Sequence, residues 1–303
     1  MGAGHDHGHV TAGTANRGRL AIVLGMMLTV AVVQVIGAAY SGSLALLADA
    51  GHTVTDSFGI ALALFAVWIA GKAATDRRTF GYQRAEILAA AVNAIVLFVL
   101  CGFIAYEAVN RLQEPADVSG PGMMLVAAFG LTFNIIALFV LRSGAKESLN
   151  VKGAYLEVMG DALASIGVIA GGAIVWLTGW SQADTLVSLL IAAIIVPRAW
   201  NLLREAVHVL LEATPKDMDL AEVRDHLLRH PAVVDVHDLH AWTITSGVPV
   251  MSAHVVVREE DLADTGLMLD QLHACLSGHF DVEHSTLQLE PPGHFDHEGA
   301  RHL

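Results

Sequence analysis

Six apolar stretches, at about 20–39, 44–70, 86–110, 121–141, 150–177 and 182–203, dominate this chain. Each meets the ~20 residues that an α-helix needs to cross a bilayer. The chain is therefore expected to be an α-helical, multi-pass membrane protein with six transmembrane helices. Its composition agrees: of 303 residues, 54% are hydrophobic and only 16% are charged. A soluble domain carries roughly a quarter charged residues, so a single-core soluble enzyme is disfavoured and intrinsic disorder is excluded.

The charge divides the chain. Residues 1–211 hold 12 Lys/Arg and 13 Asp/Glu, whereas residues 212–303 hold 5 and 17, so nearly all of the net −13 lies in the last third. That acidity argues against nucleic-acid binding, which needs a basic face. Four parts are expected: a histidine-containing tail at 1–19, a membrane part at 20–211, a soluble part at 212–291 and a flexible tail at 292–303. Basic residues Lys72, Arg77, Arg78 and Arg84 follow the second stretch, and Arg142, Lys146 and Lys152 follow the fourth. The alternate loops hold Arg111 alone, which places both termini and the acidic part in the cytoplasm by the positive-inside rule. Of the two cysteines, Cys101 lies in an apolar run and Cys275 in the acidic third, with no CxxC pair.

The soluble third has its own rhythm. An amphipathic helix is expected at 219–230, then strands at 233–245 and 248–257 around a Ser246-Gly247 turn. A helix at about 261–278 and a strand at 283–290 complete an αββαβ order. This pattern predicts a small α+β domain with one sheet and its helices on one face. Pro197 near the end of the sixth stretch is expected to kink that helix or mark its approach to the surface.

Ionisable groups within the apolar stretches carry the functional signal. A charge at the bilayer centre costs at least ~2.5–3.5 kcal/mol, so such groups are seldom idle. The second stretch holds Asp49, His52 and Asp56, and the fifth holds Glu157 and Asp161. His52 and Asp56 are four residues apart, as are Glu157 and Asp161, so each pair shares a helix face. The two helices run antiparallel, with both pairs near mid-span, and can close one four-ligand cage. One imidazole and three carboxylates suit a divalent transition metal, with tetrahedral Zn²⁺ the leading candidate. Asp49, one turn from His52, fits the access route or the outer shell of such a cage. Asn93 and Asn134 read as interhelical contacts, and Glu86, Glu107 and Asp184 as water-reached residues near helix ends. The Gly and Ala content reads as close-packing surface.

The segment Ser41-Gly-Ser-Leu-Ala-Leu-Leu-Ala-Asp49-Ala-Gly-His52-Thr-Val-Thr-Asp56 resembles the second-helix signature of the cation diffusion facilitators. Phe80-Gly-Tyr-Gln-Arg-Ala-Glu86 is similar to the start of that family's third helix. Val236-His-Asp-Leu-His-Ala-Trp-Thr-Ile-Thr-Ser246 and Ser252-Ala-His254-Val resemble its cytoplasmic domain. The resemblance implies a homodimeric, proton-coupled exporter of divalent metal in the cell's inner (plasma) membrane, with a metallochaperone-like C-terminal domain. It implies a transport site on His52, Asp56, Glu157 and Asp161. Glu157 stands where zinc transporters of the family usually have His; this harder ligand set weakens the bias to zinc and favours Mn²⁺, Fe²⁺ or Co²⁺ more. Crowded carboxylates favour protonation of at least one of them, so protons and metal compete for the cage. His52 and Glu157 are the first choices for that exchange.

The resemblance further implies that Arg84 pairs with Glu212 at the domain junction. It also implies a cytoplasmic metal site, with Zn²⁺ as regulatory ion, at His237, His254 and Glu290. Gln288 departs from a family histidine there, and His284 and His240 are candidate substitutes. The His5-x-His7-x-His9 tail can at most capture metal weakly. A membrane-anchored metal sensor or sequestering protein leaves the mid-membrane pairs unexplained. An intramembrane metallohydrolase lacks a His-Glu-x-x-His motif and a general base.

Overall fold

The computed structural model describes residues 8–70, 74–143, 149–245, 247–282 and 284–294. His5 and His7 of the tail, with Lys72, Lys146 and Ser246, lie outside the described residues. The order is α1 (Gly8–Ser41), α2 (Leu44–Ala70), α3 (Ala85–Gln113), α4 (Gly120–Leu141), α5 (Leu149–Thr178) and α6 (Gln182–Leu210). There follow α7 (Leu220–Leu228), β1 (Val233–Thr243), β2 (Pro249–Val257), a 3-10 turn (Glu259–Asp264), α8 (Thr265–Phe280) and β3 (His284–Glu290). Five of the first six helices are long and apolar enough to cross a membrane among the described residues; α2, which carries the ionisable triplet, is the sixth. Large apolar side chains such as Val99, Leu125, Phe139 and Ile194 face outward, an arrangement suited to lipid and not to water.

α1 begins at Gly8, earlier than the sequence pattern suggested, because extending a helix costs far less than nucleating one. α6 runs unbroken through Pro197. Two compact units emerge: the first holds α1, most of α2, the bulk of α3, α4, α5 and most of α6. The second holds the end of α2, the 66–88 connection and everything from Arg204 onward.

Within the first unit, α4 packs on α1 and α5. The α4–α5 approach depends on glycine. A Cβ at Gly120 would lie 2.6 Å from the Gly172 carbonyl oxygen and 2.8 Å from Trp176 N, distances no real side chain tolerates.

The α2 N-terminus corrects one expectation. Asp184, placed by its sequence position near water, is fully buried. Its carboxylate accepts from Ser43 Oγ (2.5 Å), Leu44 N (2.8 Å) and Ala45 N (3.2 Å). The first N–H groups of a helix lack intrahelical partners and carry the positive end of its dipole. A carboxylate from the first turn of α6 supplies what they need, and so fixes where α2 starts.

The second unit realises the αββαβ order around a three-stranded sheet, β1-β2-β3, with β1–β2 antiparallel and β2–β3 parallel. Val236 and Ala241 of β1, Met251, Ala253 and Val255 of β2, and Val223, Leu227, Leu272 and Leu276 of the helices share one core. Alternation along the strands turns His237, His254, Gln288 and Glu290 to the opposite sheet face. Asp238, at φ 49°, sits in a bulge of β1 that shifts the register between His237 and His240.

Candidate metal centre

In the first unit, α2 and α5 bring His52, Asp56 and Asp161 together. His52 Nε2 lies 3.3 Å from Asp56 Oδ2 and 3.6 Å from Asp161 Oδ1, and all three residues are buried. One turn of helix separates His52 from Asp56, so their meeting is a local consequence of sequence spacing. Asp161 arrives by packing. A tetrahedral zinc with ligand bonds of 2.0–2.2 Å sets its donor atoms roughly 3.3–3.6 Å apart, the spacing of His52 Nε2 from each carboxylate here. Asp56 Oδ2 and both Asp161 carboxylate oxygens are buried without a hydrogen-bond partner. Such orphaned acceptors are rare and costly in a finished interior, and a cation satisfies them.

Two expected members stand apart from this trio. Glu157 Oε1 accepts from Arg198 Nη2 of α6 at 2.7 Å, and it is half-buried at the rim. Arg198 also sends Nη1 to 3.4 Å from His52 Nε2. A guanidinium only donates, so this contact uses the Nε2 lone pair that a metal would use. Asp49 is buried one turn away, where its Oδ2 accepts from Gln34 Nε2 of α1 at 2.5 Å. Arg198 and Gln34 did not emerge from the sequence as site residues. The place of Arg198 inside the sixth apolar stretch was the signal that could have found it.

Among the described residues, the second unit holds two further groups of ligand-type side chains. His237, His254 and Glu290 offer donor atoms within 4.8 Å of one another on the sheet face opposite the helices. His254 Nδ1 lies 2.8 Å and His237 Nε2 3.6 Å from the Glu290 carboxylate, which is buried. Cross-strand pairing of His237 with His254, and of His254 with Gln288, builds this group. Gln288 Nε2 donates to Glu290 Oε1 at 2.7 Å and so orients the carboxylate. The candidate substitutes His240 and His284 are not brought in. The β1 bulge carries His240 opposite Ser252, where its Nε2 is 3.1 Å from Asp238 Oδ1. His284 pairs with Val250 at the far end of β3, and its ring packs edge-on to Phe80 at 5.6 Å. The other group is His226, Cys275 and His279 on α7 and α8.

Arg84 Nη2 and Glu212 Oε1, both in the second unit, are 2.9 Å apart. Nearby, Thr245 Oγ1 donates to Glu86 Oε2 at 2.7 Å, so Glu86 is engaged by protein rather than by water alone. Asp235 lies two residues before His237 on β1. Burial pulls its carboxyl upward, but hydrogen bonds from Arg224 and Val236 N and the Arg224 charge outweigh that and hold it below the ordinary carboxylate value.

Residues 20–211 match the cation efflux transmembrane domain, and residues 215–292 match the cation efflux protein cytoplasmic domain. The metal cation efflux system protein CzcD of Cupriavidus metallidurans is 44% identical over 290 residues, covering 96% of this chain and 90% of CzcD. The zinc transporter ZitB of Escherichia coli is 40% identical over 291 residues, covering 94% and 92%. A cadmium, cobalt and zinc/H(+)-K(+) antiporter of Bacillus subtilis is 34% identical over 303 residues, covering 99% and 95%. Two domain matches and these full-length likenesses agree, and they agree with six apolar helices followed by a small α+β domain. The chain belongs to the cation efflux, or cation diffusion facilitator, family: it is a multi-pass membrane transporter of metal cations and not an enzyme.

Proposed function

We propose that this chain exports Zn²⁺ from the cytoplasm in exchange for protons, through a transport site at His52, Asp56 and Asp161 with Glu157 at its rim. The observation that carries this reading is the three-donor cluster on α2 and α5, whose 3.3 and 3.6 Å separations suit a tetrahedral ion. The relatives named as zinc and cadmium, cobalt and zinc transporters support the metal, and the antiporter name supports coupled exchange.

The site works by competition. Metal binding at His52 Nε2 and the Arg198 contact at that nitrogen exclude each other. When a divalent cation enters, Arg198 must withdraw from His52, and protons must leave the ligands. Three carboxylate charges and a dication leave a small net charge, which a buried site tolerates better than the bare cluster. In the outward-facing arrangement, protons return to the carboxylates and displace the metal. Differential binding of two ligands to two arrangements is sufficient to drive alternating access.

The remaining expectations stand as parts of the same proposal. The domains divide near Glu212, both termini face the cytoplasm of a plasma (inner) membrane, and two copies associate through a domain family named for dimers. His237, His254 and Glu290 take a regulatory Zn²⁺, and Arg84 with Glu212 fastens the 66–88 connection to the start of the C-terminal region.

The test is metal uptake into inverted vesicles under an imposed pH gradient. Asp56→Ala abolishes Zn²⁺ uptake on this account, and Glu157→His shifts preference from Mn²⁺ and Co²⁺ toward Zn²⁺. Uptake surviving Asp56→Ala overturns the site. Metal preference and proton coupling unchanged from wild type in both Glu157→Ala and Glu157→His overturn the role of Glu157.

A further inference from the structure

The second unit carries a cluster that neither the transport site nor the sheet-face histidines use. His226 sits in the last turn of α7, and Cys275 and His279 lie four residues apart on one face of α8. One ligand atom from each lies within 4.8 Å of the other two. The His226 and His279 rings are 4.5 Å apart between centroids and tilted by 44°, and Phe280 meets His226 edge-on at 5.3 Å.

Three features make this a coordination site rather than a chance meeting of side chains. First, His226 Nδ1 is buried and has no hydrogen-bond partner. An imidazole nitrogen shut away from water without a partner is costly, and a metal bond supplies the partner. Second, His279 Nδ1 is 3.1 Å from the Cys275 carbonyl oxygen. A carbonyl only accepts, so Nδ1 is the donor and Nε2 holds the lone pair. This is the arrangement by which outer-shell carbonyls fix the tautomer of a metal-binding histidine. Third, the donor set is one sulfur and two imidazole nitrogens. Tetrahedral zinc places such donors roughly 3.3–3.6 Å apart, so no pair needs to close by more than about 1.5 Å, within reach of side-chain rotation.

We propose that His226, Cys275 and His279 bind a borderline-soft divalent cation, Zn²⁺, Cd²⁺ or Co²⁺, with a fourth position left to water. The thiolate distinguishes it from the two sulfur-free groups, whose carboxylates are harder and accept Mn²⁺ more readily. His279 is exposed, so the site exchanges its ion with solvent instead of sealing it in. It joins two helices that are 36 residues or more apart in sequence, and occupancy therefore couples metal concentration to the stability of the α7–α8 pair. The inference is independent of the transport reading.

The experiment uses the full chain in detergent under reducing conditions, titrated with Co²⁺. Sulfur-to-cobalt charge transfer in the near ultraviolet reports only a cysteine-bound ion. The other cysteine, Cys101, is buried in the apolar core of the first unit. One equivalent of charge-transfer band is expected, retained in Cys101→Ser and in Asp56→Ala, lost in Cys275→Ser, and weakened at least tenfold in affinity by His226→Ala or His279→Ala. Without any change at the site, Zn²⁺ should slow alkylation of Cys275 at least tenfold in the Cys101→Ser protein. No band at saturating Co²⁺, a band that survives Cys275→Ser, or an alkylation rate indifferent to Zn²⁺ overturns the proposal.

Discussion

Replacing Asp184 by alanine removes the acceptor on which the start of α2 depends. Three donors lose their partner at once: Ser43 Oγ at 2.5 Å, Leu44 N at 2.8 Å and Ala45 N at 3.2 Å. Arg111 Nη1, 3.7 Å from Asp184 Oδ2, loses a counter-charge, although it keeps the Gly42 carbonyl at 2.6 Å. Because Asp184 is fully buried, water does not reach these groups without rearrangement. Each orphaned donor costs about 1–3 kcal/mol, and Ser43 can turn to another acceptor, so the sum falls near the ~3–5 kcal/mol typical of a broken buried charge. Asp184→Asn keeps the shape and one acceptor oxygen but loses the charge that favours the helix N-terminus, and about half that loss is expected. Unfolding of the purified chain in mixed micelles of rising SDS fraction, followed by circular dichroism, measures both. The order wild type, Asn, Ala is expected, with transport falling in the same order because α2 carries His52 and Asp56. An Ala variant within about 1 kcal/mol of wild type would refute the capping argument.

Three other outcomes follow from the geometry. Arg198→Ala removes a competitor for His52 Nε2 from a half-exposed position, worth about 1 kcal/mol after solvent screening. Vesicle uptake should then show a Zn²⁺ KM several-fold lower and a reduced maximal rate, whereas a raised KM contradicts the competition. Gly120→Val forces α4 and α5 apart at the Gly172 carbonyl, and should cost several kcal/mol in the SDS titration where the exposed Gly102→Val costs little. Asp235 is held below the usual carboxylate value of 3.8, so its ion pair with Arg224 stabilises the fold above that pH and is lost as pH falls through the depressed value. Asp235→Asn should therefore lower the free energy of unfolding slightly at pH 7, by less than about 1 kcal/mol for so exposed a pair, with the difference vanishing in strong acid.

What could be read from the sequence was governed by local periodicity. Runs of about 20 apolar residues define the membrane helices without reference to any partner. The i, i+4 rule places His52 beside Asp56 whatever the rest of the chain does. The same rule puts Glu157 over Asp161 but cannot say that Arg198, forty-one residues on, takes hold of Glu157. Asp184 failed for the same reason: nearness to a helix end in sequence says nothing about which other helix end it faces. In the C-terminal unit the strand alternation brought His237 and His254 to one face. The bulge at Asp238 broke that alternation and carried His240 away, and a single residue in a left-handed conformation leaves little mark on a hydrophobic pattern. The α7–α8 cluster needed a packed helix pair to become visible, because His226 and Cys275 are remote in sequence.

X-ray absorption at the zinc edge tests the central claim most directly. The protein for it carries His237→Ala, His254→Ala and Cys275→Ser, which removes the thiol of the α7–α8 group and disables both groups of the second unit. If zinc is carried at the α2–α5 cluster, this protein binds one Zn²⁺ with a single imidazole and otherwise oxygen ligands, and adding Asp161→Ala abolishes that binding. Two or more imidazoles per zinc, or binding that persists after Asp161→Ala, would contradict the account.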